Sequence, residues 1–132
     1  MIKETDLIYL ATPYSSQDES VMYDRFVHIN MVCGKMLKLG FNVYSPISHW
    51  HPIANMTEVV YGDVLRCDLV ILALCKMLVV VKMPGWRKSQ GVTKEMKDAQ
   101  RLEIPILLLN YPEIMEAETG DQIWPKLKEQ SV

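Results

Sequence analysis

The segment Ser89-Gln-Gly-Val-Thr-Lys-Glu95 places a carboxylate where a helix would ordinarily carry an apolar side chain. At about 100° per residue, Glu95 falls roughly 40° from Ala99 and about 20° from Leu102, on the apolar half of a helix read from about Gly91 to Leu102. An acid on that side needs compensation. With the helix starting near Ser89 or Gly91, Glu95 lies within about its first turn, where free N–H groups and the dipole favour an anion. Gly85 and Gly91 permit tight turns and close backbone approach, and Ser89 adds a hydroxyl donor. Together these residues describe an anion site beside an inward-facing carboxylate. A carboxylate held by packing and shielded from water has the makings of a nucleophile toward an electron-poor carbon. The same residues also admit a plainer reading, in which Glu95 complements the dipole and Ser89 is an N-terminal cap.

The elements that would position this segment are legible from hydrophobic patterning. Leu7–Ala11 is a short apolar run stopped by Thr12-Pro13, which predicts a buried first strand. From about Asp18 to Leu39, apolar residues recur at Met22, Phe26, Ile29, Cys33 and Met36, predicting a long amphipathic helix that Gly40 ends. Phe41–Ser45 predicts a second strand ending at Pro46, with the polar and aromatic segment from Ile47 to Pro52 read as a loop. Thr57 to about Cys75 has the length of a helix, and the β-branched run Leu78–Lys82, ended by Pro84-Gly85, reads as a central strand. After the Glu95 helix, Ile104–Leu109 is a further strand, and the residues from Tyr111 read as one or two short helices with a turn at Thr119-Gly120. Alternating strands and helices predict an α/β fold: one flavodoxin- or Rossmann-like domain over residues 1–132, with a parallel sheet of about four to five strands and helices on both faces. Ligands in such sheets sit at the carboxyl ends of the strands, near the topological switch point. That rule singles out the loops Thr12–Asp18, Pro46–Ile53 and Met83–Gly91.

Composition narrows the function classes. The chain has 132 residues, 49% hydrophobic and 23% charged, enough for one core. Its 14 basic and 16 acidic residues are intermixed, leaving no basic stripe for polymeric nucleic acid. No stretch has the length of a membrane span, and the first residues do not read as a signal peptide, so a soluble cytoplasmic protein is expected. Cys33, Cys67 and Cys75 are odd in number and lack CxxC spacing, which points to reduced, packing cysteines. His49 and His51 have no third ligand cluster, so no metal site and no cofactor are expected.

Three patterns carry a resemblance: Ile8-Tyr-Leu-Ala-Thr-Pro-Tyr14, Val43-Tyr-Ser-Pro46, and Ser89-x-Gly-Val-x-x-Glu95 followed by Ala99 and Ile104-Pro-Ile106. From Leu7 to about Leu109 the chain resembles the nucleoside 2-deoxyribosyltransferase-like superfamily. The run Gly85-Trp-x-x-Ser-x-Gly-Val-x-x-Glu is similar to that of a branch of small, often phage-borne domains whose function is mostly unassigned. The resemblance implies an N-glycosidase or deoxyribosyltransferase acting on a small nucleotide or nucleoside. In it the glutamate matching Glu95 attacks the anomeric carbon, and the glycosyl-enzyme intermediate passes its sugar to water or to another base. It further implies an acid near the end of the second helix that assists the departing base, with Asp68 as the match and Asp63 as rival. Transferases commonly have an aspartate at the position of Ser89, whereas the hydrolases of deoxynucleoside 5′-monophosphates have a serine that touches phosphate. Loss of a negative charge there favours a phosphorylated substrate.

Tyr14 and Ser15 stand where the superfamily places sugar- and phosphate-contacting groups, although Thr-Pro-Tyr-Ser-Ser does not reproduce the Gly- and Arg-containing loop of the monophosphate hydrolases. Arg87 and Lys88, or Arg25 from the first helix, are candidates for the missing charge. His49, Trp50 and His51 offer an aromatic to stack on a base and a histidine to hydrogen-bond its edge. Trp86 either walls the pocket or covers the sheet edge. The substrate-binding set is therefore Ser89, Gly91, Tyr14, Ser15, His49 and Trp86, around catalytic Glu95 and Asp68. A homodimer or larger homo-oligomer is implied, with the apolar second helix as an interface. Two rivals stay open: a lysine-decarboxylase-like phosphoribohydrolase, whose Pro-Gly-Gly-x-Gly-Thr-x-x-Glu loop Pro84-Gly85-Trp86 departs from, and a non-catalytic nucleotide or nucleotide-sugar binding module.

Overall fold

A computed structural model of the chain describes residues 5–123. Four parallel strands, β1 (Leu7–Ala11), β2 (Asn42–Tyr44), β3 (Met77–Lys82) and β4 (Ile106–Asn110), form one sheet in the order β2-β1-β3-β4. The helices are α1 (Glu19–Lys38), α2 (Pro46–Met56), α3 (Tyr61–Leu74), α4 (Gln90–Arg101) and α5 (Tyr111–Glu116). The chain moves from β1 outward to β2 and then returns to the other side of β1 for β3, so the switch point lies between β1 and β3. Right-handed crossovers then require α1 on one face and α3 and α4 on the other. The packing agrees. Ile8 and Leu10 of β1 bury against Ile29, Val32 and Met36 of α1 and Ile114 of α5. Tyr9 and Ala11 turn the other way, toward Leu72 of α3 and Val92 and Ala99 of α4. Met77 to Val81 of β3 are buried throughout, as a central strand covered on both faces must be. The fold is a Rossmann-like α/β domain.

Local signals explain where elements start. The Asp18 carboxylate accepts from the Ser20 N–H at 2.9 Å and caps α1. Three expectations need correction. The segment from Ile47 to Pro52, read as a loop, is most of helix α2, because Ser45 caps it, accepting from the Ser48 N–H at 3.2 Å, and Pro46 occupies the first turn, where its missing N–H costs nothing. Pro52 lies inside that helix at the expense of one backbone bond, which packing against α1 offsets: the His51 ring stacks on Phe26 at 4.0 Å, and Ser48 donates to Asn30. The third helix begins at Tyr61 rather than Thr57. Strand β4 begins at Ile106, since the Ile104 N–H still closes the end of α4 on the Ala99 carbonyl. The two short helices after β4 are α5 and a 3-10 turn at Gly120–Gln122, and the rest of the C-terminal segment lies outside the described residues.

Candidate active site

A cavity of about 270 Å³ opens at the carboxyl ends of β1 and β3, where the switch point predicts a ligand. Its walls come from the β1–α1 loop (Thr12, Tyr14, Ser15), from α2 (Ile47, Trp50, His51), from α3 (Asp68, Leu69, Leu72) and from the start of α4 (Gly91, Lys94, Glu95, Asp98). The volume sits just below the roughly 300–1,000 Å³ usual for small-molecule sites, so one small ligand fills it.

Glu95 lies in this cavity, on the sheet side of α4. It is the sixth residue of α4, in the second turn, and not in the first turn as expected, so no free helix N–H reaches it. Compensation comes instead from Tyr9, whose hydroxyl donates to the Glu95 carboxylate. That is not enough to offset burial: desolvation first, and then the neighbouring Asp68 and Asp98, push the Glu95 carboxyl up to about 8. Tyr9 is itself 1% exposed, and burial together with Glu95 and Asp68 holds its phenol far above the ordinary range, so it remains a donor.

Asp68 faces the same cavity from α3, and two donors converge on its Oδ1: the Trp50 indole at 2.8 Å and the Tyr44 hydroxyl at 3.2 Å. Burial raises its carboxyl above the ordinary carboxylate range, only partly offset by those hydrogen bonds. Asp63, the rival, is placed differently. Its Oδ2 accepts from the Val60 N–H at 3.1 Å, capping α3, and its Oδ1 meets Arg66 at 3.5 Å. Geometry thus separates an acid turned into the cavity from one spent on its own helix terminus.

At the mouth, Ser89 caps α4, its Oγ accepting from the Val92 N–H at 3.2 Å while its hydroxyl hydrogen remains available. Ser89, Gly91, Ser15 and Tyr61 belong both to the cavity and to an adjoining depression lined by Arg25, Gly85 and Lys88. Arg25 donates to the carbonyls of Tyr14 at 3.2 Å and Ser15 at 3.0 Å, so it both holds the β1–α1 loop and brings positive charge to the mouth. Gly85 is required there: its φ is +89°, and a Cβ would stand 2.9 Å from Arg25 Nη2. Within the cavity Asp98 is paired with Lys94, which leaves Glu95 and Asp68, among the described residues, as the acids without a cationic partner there, while Arg25, Lys88, the Ser89 hydroxyl and the α4 N-terminus gather at the mouth.

Of the residues expected to bind substrate, Ser89, Gly91, Tyr14 and Ser15 line the cavity with Glu95 and Asp68. Tyr14 arrives with its hydroxyl engaged, 2.6 Å from His51 Nδ1. The structure does not bring His49 or Trp86 to the cavity. His49 is an exposed residue of α2 packed on Trp50 and Tyr44, because the helix turns it away from His51. Trp86 packs against the layer between the sheet and α3/α4, with Arg87 over its ring at 5.2 Å. Sequence reasoning missed Tyr9 and Tyr44. Their signal is faint: one tyrosine in an apolar strand and one at the end of a three-residue strand, which parallel pairing sets side by side with ring centroids 5.7 Å apart. Cys75 is buried and its thiol is pushed up to about 11 by desolvation, consistent with a packing role. Among the described residues, no cluster of three His, Cys, Asp or Glu could hold a metal ion, and no helix is long and apolar enough to cross a membrane.

Comparison with known proteins accords with the fold. No curated protein matches the sequence. A solved structure of a 2-deoxyribosyltransferase from the psychrotolerant bacterium Bacillus psychrosaccharolyticus is similar at a TM-score of 0.59 and 16% identity, over 88% of this chain and 95% of that one. The fold is thus nucleoside 2-deoxyribosyltransferase-like. The family model described as a domain of unknown function, DUF1937, matches residues 6–111, from the start of β1 to the end of β4 and the whole of the cavity between them, and the chain belongs to that family.

Proposed function

We propose that this chain is an N-glycosidic-bond enzyme acting on a deoxynucleotide or deoxynucleoside, with Glu95 as nucleophile and Asp68 as the acid that assists the departing base. The observation that carries the reading is the pair itself: two carboxyls on neighbouring helices facing one cavity, each held by phenol or indole donors. A Glu95 oxygen bonds to the anomeric carbon as the bond from that carbon to the base breaks, and its electron pair leaves with the base, which takes a proton from Asp68. Water or a second base then displaces Glu95 from the sugar, and Asp68 recovers a proton from the incoming nucleophile. The reactive form has Glu95 ionised and Asp68 protonated. The empty cavity keeps a proton on Glu95 up to about pH 8, and the positive charge that develops on the sugar favours its ionised form. Because the carboxyls sense each other, they titrate as a pair.

The cationic mouth supports a 5′-monophosphate over a free nucleoside: Arg25 and Lys88 supply there, beside the Ser89 hydroxyl, the positive charge that the Thr12–Ser16 loop lacks. A homodimer or larger assembly belongs to the same reading, and α3 leaves Val70 and Leu74 exposed at 61% and 75% for such a contact. The protonated state of Glu95 in the empty site favours one other reading, a non-catalytic nucleotide binder in which Glu95 donates a hydrogen bond to its ligand. One experiment separates them. The protein is incubated with a panel of deoxynucleosides and their 5′-monophosphates and free base is read by chromatography. Base release that Glu95→Ala abolishes while ligand binding persists supports the enzyme; no release from any substrate by the wild type sinks it.

A further inference from the structure

Thr12 follows the last residue of β1 and is 4% exposed, yet its Oγ1 has no hydrogen-bond partner. Among the described residues it is the one buried side-chain polar atom in that condition. Ser45, the other buried polar residue, shows the usual solution: its Oγ accepts from the Ser48 N–H. The residue after Thr12, Pro13, has no N–H to offer it. A valine has the same shape without the hydroxyl and would fill the position at no desolvation cost. Packing alone therefore does not account for threonine. Thr12 also lines the cavity, in the same loop as Tyr14 and Ser15, and Ser15 lines the adjoining cationic mouth as well.

We infer that Thr12 is a ligand-contacting residue, whose hydroxyl is completed by an oxygen on the sugar–phosphate half of the bound molecule. The inference rests on reading the cavity as a deoxynucleotide site. In the empty protein the hydroxyl is a standing cost, and binding relieves it, so Thr12 trades stability of the free chain for affinity. This trade sets the test, because a residue that merely packs cannot show it.

Thermal midpoints are measured for the wild type, Thr12→Val and Thr12→Ser without ligand. Binding of the four 2′-deoxynucleoside 5′-monophosphates is measured by calorimetry in a Glu95→Ala background, with and without each Thr12 change. The expected result is an empty Thr12→Val protein as stable as the wild type or more so, with affinity about five- to tenfold weaker, the effect of one lost neutral hydrogen bond. Thr12→Ser retains affinity to within about twofold, since it keeps the hydroxyl. Unchanged affinity in Thr12→Val overturns the inference, and so does lower stability of its empty form, which would mean that the hydroxyl already has a structural partner. If none of the four nucleotides binds with Thr12 intact, the deoxynucleotide reading itself fails and the inference goes with it.

Discussion

Replacing Glu95 by glutamine should make the protein more stable and inactive, with a gain in stability that grows with pH. Burial raises the carboxyl from its ordinary 4.5 to about 8 in the folded chain. The folded state therefore binds this proton more tightly than the unfolded state does. Its contribution to stability is complete below pH 4.5 and is lost progressively as pH rises through about 8. A tenfold change in proton affinity is worth about 1.4 kcal/mol, so the full effect is on the order of 5 kcal/mol, and about half of that is realistic for a side chain that opens partly to the cavity. Glutamine carries no charge at any pH, and its carbonyl can still accept from Tyr9. Urea unfolding followed by tryptophan fluorescence at pH 5, 7 and 8.5 measures the difference. The variant should match the wild type within about 1 kcal/mol at pH 5 and exceed it by roughly 2–4 kcal/mol at pH 8.5. Base release should fall at least about a thousandfold. Parallel stability curves for the two proteins would refute the claim that Glu95 is a desolvated carboxylate.

Other outcomes follow from the same geometry. The apparent kcat/KM should trace a bell in pH, because the reactive form needs Glu95 ionised while Asp68 keeps its proton, with the alkaline limb near pH 8; a flat profile from about pH 5 to 9 would remove the pair from the chemistry. Tyr9→Phe deletes the hydrogen bond that opposes the rise of the Glu95 carboxyl, so the midpoint of that profile should move further alkaline, read from initial rates. Asp68→Asn should cost about 10²–10⁴ in base release, whereas Asp63→Asn should leave the rate near wild type and lower stability by less than about 1 kcal/mol, through the weakened α3 terminus. If Asp63→Asn were the inactive variant, the two acids would have to exchange roles.

Much of the architecture was open to inspection in the sequence because it rests on local, periodic signals. The buried run Leu7–Ala11, the helical spacing after Asp18 and the β-branched run before Pro84 dictate strand, helix and strand, and their alternation dictates a parallel sheet with its site at the strand ends. The inward position of Glu95 also follows from helical period alone. Helix α2 was hidden because Pro52 is a local veto that packing against α1 overrides, a contact between segments that no local pattern records. Tertiary structure alone decided what stabilises Glu95. The sequence offers a helix dipole, whereas the fold sets the carboxylate one turn too far along α4 for that and supplies the Tyr9 hydroxyl from across the sheet. It also set Asp68 and Asp63 in different surroundings, the first facing the cavity and the second capping its own helix. Residue types and periods thus determined that a shielded acid stands at the switch point; which groups surround it, and how tightly it holds its proton, depended on distances between residues far apart in the chain.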